Sequence, residues 1–547
     1  MPKILTISGW PVLIIGLFII AVFSYLGYLP IDTSSDEPRR ALVALEMILS
    51  GDYITPTING ELYFNKPPFY NWVIIAFYRL LGNYSSFTLR LPMAVSLLLL
   101  GLTIFFFVRK YVPARKESAS AIAFVVAMMV LTNGRVLIYD SLWSSIDIPF
   151  AWLTYLAMML VYHFERRGNY WALFLATYAL TAIGFMTKGL PSLVFQSFTL
   201  LSWFVYTKQF RRLWHPAHFA GIGLFLLIVG SYYWAYFSRN HIPLSNVADV
   251  LFEESTKRTV VTFGVVETAL HLLTFPFEMI YHFVPYMLLL ALLVRANSWA
   301  VLRTNSFIAF NVVVFLANIW VYWSSPQVYA RYLIGQLPLV FTVLAYCYYE
   351  LSSPDDTSRK WIERIWLGLS LLVTVGCWVA LVHPKTRLID GIGWKTTAAF
   401  LMMAIATWAL WQDKNNRLRR MLLVMIVVRI SLNWIALPGR LASRVFYKKE
   451  SERIAHESLG APLYGYKETI GSTGATDVNS FHIAAFRGEI LRLSSRRQAG
   501  AYYLADSVSL VGEQYETVDT TRLFDRHPAK LVRFISPTDS TYRKQHD

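Results

Sequence analysis

Cysteine is nearly absent from this chain. Cys347 and Cys377 are its two, both inside apolar runs, so neither a disulfide framework nor a cysteine-based metal site is available. Charge is scarce as well. Only 15% of the 547 residues are Asp, Glu, Lys or Arg, against about one quarter in a soluble domain. With 55% hydrophobic residues and a mean hydropathy of +0.43, the composition is that of an integral membrane protein. No repeat or low-complexity segment stands out, and no Gly-rich phosphate loop of the P-loop kind is present. The formal net charge of +16 raises nucleic acid as a partner, but the basic residues fall in short clusters between apolar runs, as in the inner loops of a polytopic protein. Nucleic-acid binding is set aside.

What is abundant is long apolar runs. They lie near 9–28, 88–108, 119–137, 146–163, 171–187, 190–206, 217–237, 279–294, 305–322, 333–350, 361–381, 395–411 and 420–437, which predicts thirteen spans. The first is too long for a signal-peptide core and has no small-residue cleavage pattern, so it reads as a retained span. A further stretch, 67–82 ("PPFYNWVIIAFYRLLG"), opens with two prolines and contains Asn71 and Arg79, which suits a helix in the interface. With that stretch on the surface and the N-terminus inside, every inner loop is basic: Arg109 to Lys116, Arg166 and Arg167, Lys208 to Arg212, Arg295 and Arg303, Arg359 to Arg364, and Lys414 to Arg420. Counting 67–82 as a span would invert everything after it.

On this topology the expected fold is a polytopic all-α membrane domain, residues 1–439, with long outer loops at 29–87 and 238–278. A small extracytoplasmic α/β domain, 440–547, follows, where short apolar runs alternate with polar turns. The conspicuous charges at the membrane edge then share the outer side. They are Asp36, Glu37 and Arg39 in "DEPRR", Lys66, Asp140, Lys188, then Glu253, Glu254, Lys257 and Arg258, and finally Arg331. Lys and Arg there suit the anionic head of a lipid, and a carboxylate among them suits general-base activation of a hydroxyl. Lys188, in a tight turn with Gly189, reads equally as a topological anchor, and His271 and His282 read as packing or interfacial residues. The substrate implied is a phospholipid-like donor whose sugar or other group is moved outside the membrane.

The stretch "DEPRRALVALEMILSGDYITPTINGELYFNKPPFYNW" resembles the first outer loop of bacterial GT-C glycosyltransferases, the group of the lipid A aminoarabinose transferases and relatives of the protein O-mannosyltransferases. "RVLIYD", "GFMTKGLPSLV", "FEESTKR" and "YARYLIGQLPL" resemble later motifs of that group in the same order. The resemblance implies a GT-C architecture of about thirteen spans plus an outer domain, in the bacterial inner membrane. It also implies an inverting transfer of a sugar from a polyprenyl-phosphate donor to an envelope lipid, glycan or protein. Carried residue by residue, it makes Asp36 the preferred base and Asp140 the second acid. It sets Arg39, Lys66 and Arg258 on the donor phosphate, with Lys188 and Arg331 as further phosphate candidates and Glu37, Tyr63 and Glu253 as other site candidates. Relatives in the aminoarabinose branch hold a divalent metal through a Glu and a His. Here those places are Asn65 and Glu253, so the metal-ligand pattern of that branch is not kept: a divalent metal is possible but has no assigned ligands, and aminoarabinose as the sugar is not implied with the rest.

Two other classes compete. A transporter or flippase of lipid-linked sugars would also want a basic cavity, but would show paired repeats and polar groups near the midplane. A catalytically silent attachment protein on the same scaffold is the third.

Overall fold

A long apolar segment has one stable form in a bilayer, the α-helix, because its backbone N–H and C=O groups are then satisfied within the segment. The structure, a computed structural model, describes residues 9–31, 36–63, 65–241, 260–294, 303, 305–467, 474–523 and 527–535, and these are mostly helical. The helices are α1 (Trp10–Phe23), α2 (Glu37–Ser50), α3 (Phe69–Leu81), α4 (Ser86–Tyr111), α5 (Ala119–Thr132), α6 (Asp147–Glu165), α7 (Tyr170–Lys188), α8 (Pro191–Tyr206) and α9 (Pro216–Asn240). They continue with α10 (Val260–His282), α11 (Ser306–Trp323), α12 (Leu337–Tyr346), α13 (Thr357–Gly376), α14 (Ile392–Gln412), α15 (Arg417–Ile435), α16 (Pro438–Glu457) and α17 (Gly474–Arg487). The chain forms two compact units, Met1–Leu26 with Pro92–Gly439, and Gly27–Leu91 with Arg440–Asp547.

Six described helices are long and apolar enough to cross a membrane: α4, α7, α9, α10 from Phe263, α11, and α13 with its continuation to Leu381. A seventh arises if α15 and α16, bent by 48°, count as one broken span. The thirteen apolar runs all fall on helical stretches, but several are cut short. α5 stops at Thr132, where Asn133 is extended and its side-chain oxygen accepts from the Val136 N–H ahead of it at 3.0 Å, offering the backbone an alternative to continuing the helix. The run at 279–294 is not one span: α10 ends at His282, and 286–294 is a tighter 3₁₀ stretch beyond Pro285. The loop expected at 238–278 needs correction for the same reason. Its second half is the body of α10, which is kinked at Gly264 (φ +83°) and whose Glu267, Glu278 and Pro276 interrupt the apolar pattern without preventing a helix.

The stretch 67–82 forms α3, thirteen residues where a span needs about twenty. Pro68 caps its start and Gly82, at φ +66°, ends it. Asn71 is not on a wet face, however; it is buried with Tyr70, Ile74 and Tyr78, while Leu80 is 77% exposed. In the helical unit, Gly221 lets α9 close on α7, since a Cβ there would lie 2.5 Å from the Tyr178 ring.

The second unit holds two sheets. β1 (Thr57–Ile58) and β2 (Glu61–Leu62) are joined by Asn59-Gly60, both at positive φ, the two-residue turn that suits strand twist. The C-terminal part carries a five-stranded sheet of β3 (Leu463–Tyr466), β4 (Arg492–Ser494), β5 (Tyr502–Asp506), β6 (Tyr515–Leu523) and β7 (His527–Phe534), in the order β4-β3-β5-β7-β6. β3 runs parallel to β4 and β5, and β7 antiparallel to β5 and β6. Alternation along β5 splits its side chains between two cores: Tyr502 and Leu504 pack with Ile454, Ile483 and Leu531, while Tyr503 and Ala505 pack with Tyr466 and Val532.

Candidate functional site

In the second unit the charges of "DEPRR" open α2. Asp36 is exposed at the cap position, and Pro38 sits in the first turn, where its missing N–H is not needed. Glu37 is buried and meets Arg90 of α4 edge to edge, Nε to Oε1 at 2.7 Å and Nη2 to Oε2 at 2.8 Å. Arg90 also donates to the carbonyls of Leu29 at 2.8 Å and Pro30 at 3.2 Å. This fork clamps the chain before α2 to the start of α4. Arg39 turns the other way. Its Nε lies 3.1 Å from Asp477 Oδ2 on α17, and its guanidinium is 5.9 Å from the Tyr63 ring centroid. Two turns further along α2, buried Glu46 accepts from Thr57 Oγ1 at 2.7 Å, Asn59 N–H at 2.6 Å and Gly60 N–H at 3.1 Å. The β1–β2 hairpin is thereby fixed to α2, and the segment leading to half-buried Lys66 starts from a set position.

In the helical unit Asp140 ends a one-turn π segment, Val136–Asp140. It is fully buried and accepts two bonds from Arg135, Nε at 3.0 Å and Nη2 at 3.1 Å. Burial pushes its carboxyl up to about 6, with Arg135 opposing the shift and the negative charge of Asp147 adding to it. The turn is held by Arg429 of α15, a buried guanidinium that donates to the Leu137 carbonyl, to Ser141 Oγ at 2.9 Å and to Asn433 Oδ1 at 2.8 Å; Asn433 in turn donates to the Ala21 carbonyl at 2.7 Å.

Asp147 is the first residue of α6, Lys188 the last of α7, and Arg331 lies in the 3₁₀ turn Ala330–Gly335. The two cations share the one carboxylate: Lys188 Nζ pairs with Oδ1, and Arg331 Nε lies 3.0 Å from Oδ2. An acid at a helix start and a base at a helix end both agree with the helix dipoles. Tyr332 lies under both, 3.9 Å from Lys188 Nζ and 5.7 Å from the Arg331 guanidinium carbon. Arg331 also acts on Asp140 electrostatically. Among Arg135, Asp140, Asp147, Lys188 and Arg331, three positive charges thus meet two negative ones. Such a cluster is able to take a further anion and stabilise charge that develops on it.

The structure therefore brings Asp140, Lys188 and Arg331 together in one unit; Asp36, Glu37, Arg39, Tyr63 and Lys66 belong to the other, where Arg39 lies beside Tyr63 and Asp477 and Glu37 beside Arg90. Arg258 and Glu253 lie outside the described residues. Asp147, Arg135, Arg90, Asp477 and Arg429 escaped the sequence reading. Arg429 had a signal, a lone arginine inside an apolar span, whereas Asp147 reads as an ordinary acid opening a helix. As for a metal, Asn65 offers an amide where a carboxylate ligand would be wanted, and among the described residues no three His, Cys, Asp or Glu side chains converge.

Residues 65–234 match the dolichyl-phosphate-mannose-protein mannosyltransferase family. The chain is 30% identical over 217 residues to an undecaprenyl phosphate-alpha-4-amino-4-deoxy-L-arabinose arabinosyl transferase of Proteus mirabilis, covering 36% of each. It is 27% identical over 213 residues to the corresponding enzyme of Edwardsiella ictaluri, covering 38% of this chain and 36% of the relative. An uncharacterised Aquifex aeolicus protein is 25% identical over 240 residues. These matches span under half the length of the curated relatives. The fold likeness extends over the whole chain: ArnT from Cupriavidus metallidurans bound to undecaprenyl phosphate superposes with a TM-score of 0.67 at 17% identity, covering 97% of this chain and 99% of that one. The chain resembles the lipid A aminoarabinose transferases. It has their GT-C type of fold, and the family match holds Lys66, Asp140, Asp147 and Lys188 while leaving out Asp36 to Arg40 and Arg331.

Proposed function

We propose that this chain is an inverting glycosyltransferase of the bacterial inner membrane. It moves a sugar from a polyprenyl-phosphate donor to an envelope acceptor, a lipid A, a glycan or a protein, on the extracytoplasmic side. Residues 1–439 form the catalytic domain and 440–547 an extracytoplasmic domain. Asp36 is the base that takes the acceptor proton, and Asp140 is the second acid. Arg39, Lys66, Arg258, Lys188 and Arg331 serve the donor phosphate, with Glu37, Tyr63 and Glu253 as further site candidates. The observation that carries this reading is the pairing of Lys188 and Arg331 on the single carboxylate of Asp147, at helix ends and beside Asp140. A leaving phosphate gains charge as the glycosidic bond breaks, and cations fixed in a site of low dielectric stabilise it more than water does.

The test is turnover by the purified full chain in nanodiscs, given polyprenyl-phosphate sugars and a pool of envelope lipids, glycans and proteins. Release of free polyprenyl phosphate that depends on the acceptor is the expected outcome. Movement of the intact donor between leaflets without release would mean a flippase and would overturn the proposal.

A further inference from the structure

Four charged side chains stand within five residues at the start of α2, and they are not equivalent. Glu37 accepts from Arg90 through both oxygens, and Arg39 is paired with Asp477. Arg40 differs from both. Its residue is only 2% exposed, yet among the described residues its Nε and Nη1 are buried with no hydrogen-bond partner and no carboxylate forms an ion pair with it. A buried guanidinium without a carboxylate is costly, and its place in the first turn of a helix, where the dipole favours acids, makes it more so. Such a group calls for an explanation beyond packing.

Its position supplies one. The Arg40 N–H bonds the Asp36 carbonyl at 3.2 Å, so the two residues lie one helical turn apart and their Cα–Cβ bonds leave the same side of the helix. Arg39 is rotated about 100° from Arg40, toward α17 and Asp477. Arg39 and Arg40, three and four residues on, both neighbour Asp36, which acts electrostatically on Arg39 as well; Arg40 is the one of the two whose guanidinium has no acid beside it among the described residues.

We propose that Arg40 is a donor-phosphate ligand, and that it carries a larger share of that binding than Arg39, whose charge is committed to Asp477. This rests on the glycosyltransferase reading. The chemistry required is a phosphate oxyanion, which a guanidinium fork meets with two parallel N–H bonds.

The test is equilibrium binding of undecaprenyl phosphate to the full chain in nanodiscs, compared for wild type, Arg40→Gln, Arg40→Lys and Arg39→Gln, with a thermal unfolding curve for each. Loss of one charge-assisted ligand predicts binding weaker by about 10–100-fold in Arg40→Gln. Thermal stability should be unchanged or raised there, because a neutral amide is cheaper to bury. Arg39→Gln should lose distinctly less affinity. Arg40→Lys keeps charge and fold but not the fork, and should lose several-fold. Phosphatidylglycerol binding should be equal in wild type and Arg40→Gln. Wild-type affinity in Arg40→Gln or Arg40→Lys, a larger loss in Arg39→Gln, or an equal loss toward phosphatidylglycerol would each overturn the proposal while leaving the transferase reading in place. A wild-type chain that does not bind undecaprenyl phosphate at all would instead overturn the transferase reading and this inference with it.

Discussion

The Asp140 carboxyl should control a measurable part of the pH dependence of stability. Burial holds it up to about 6, despite the two bonds from Arg135, whereas an unfolded aspartate titrates near 3.9. Between those values the folded chain keeps a proton that the unfolded chain has lost. Unfolding then releases a proton, and stability falls as pH rises from about 4 through about 6, then levels off. A shift of about two units at 1.36 kcal/mol each makes the total loss about 3 kcal/mol. Unfolding of the full chain can be followed by the fluorescence of its 18 tryptophans between pH 4.5 and 7.5, for wild type and for Asp140→Asn. The difference between the two curves isolates this carboxyl, and it should change by most of that amount with a midpoint near 5 and a plateau above about 6. Arg135→Gln removes the opposing cation and should move the midpoint upward. Asp147→Asn removes the neighbouring negative charge and should move it downward. Parallel curves for wild type and Asp140→Asn across this range would refute the assignment, as would a downward shift in Arg135→Gln.

Asp36→Asn should keep fold and donor binding but cut turnover by about 10²–10⁴-fold, the usual share of general-base catalysis; near-normal turnover would pass the role to Asp140. Glu37→Gln or Arg90→Met alone should cost about 3–5 kcal/mol by leaving one buried charge unpaired, and the double variant should cost less than the sum of the two. Strict additivity in that cycle would mean the pair is not coupled. In a Cys347→Ala, Cys377→Ala background, a single cysteine at Asn83 or Ser85 should react with an impermeant thiol reagent in intact cells, and one at Arg115 should not. The reverse pattern would make 67–82 a true span and divide the proposed site between two sides of the membrane.

Much of the fold is legible because hydropathy is a local property. Apolar runs became helices, and the Lys-Pro-Pro step does open a helix at Phe69. The misreadings arise where local polarity and global packing disagree. α10 carries Glu267 and Glu278 and still forms a helix, because two acids in an otherwise apolar stretch shift a hydropathy window more than they strain a backbone. Asn71 of α3, whose polarity suits a helix in the interface, is buried against the protein instead. The Asn59-Gly60 turn was readable from its two residues, but its attachment to Glu46 was not, since an acid inside a helix has no pattern that announces a hairpin as its partner.

The site shows the same division more sharply. A sequence displays charges one by one, but what a charge can do depends on whether another group has already neutralised it. Partners lie far off along the chain: Glu37 and Arg90 are 53 residues apart, and Arg39 and Asp477 are 438. Arg39 and Arg40 are adjacent, carry the same group and look interchangeable in "DEPRR". Motif resemblance selects Arg39, because a motif preserves spacing from Asp36 and records no partners. Folding distinguishes them. It brings Asp477 to one and buries the other with two nitrogens unmet among the described residues. In a chain with so little charge, a paired cation is a fastener and an unmet buried one is a demand for an anion, and the difference between them is made only when the helices pack.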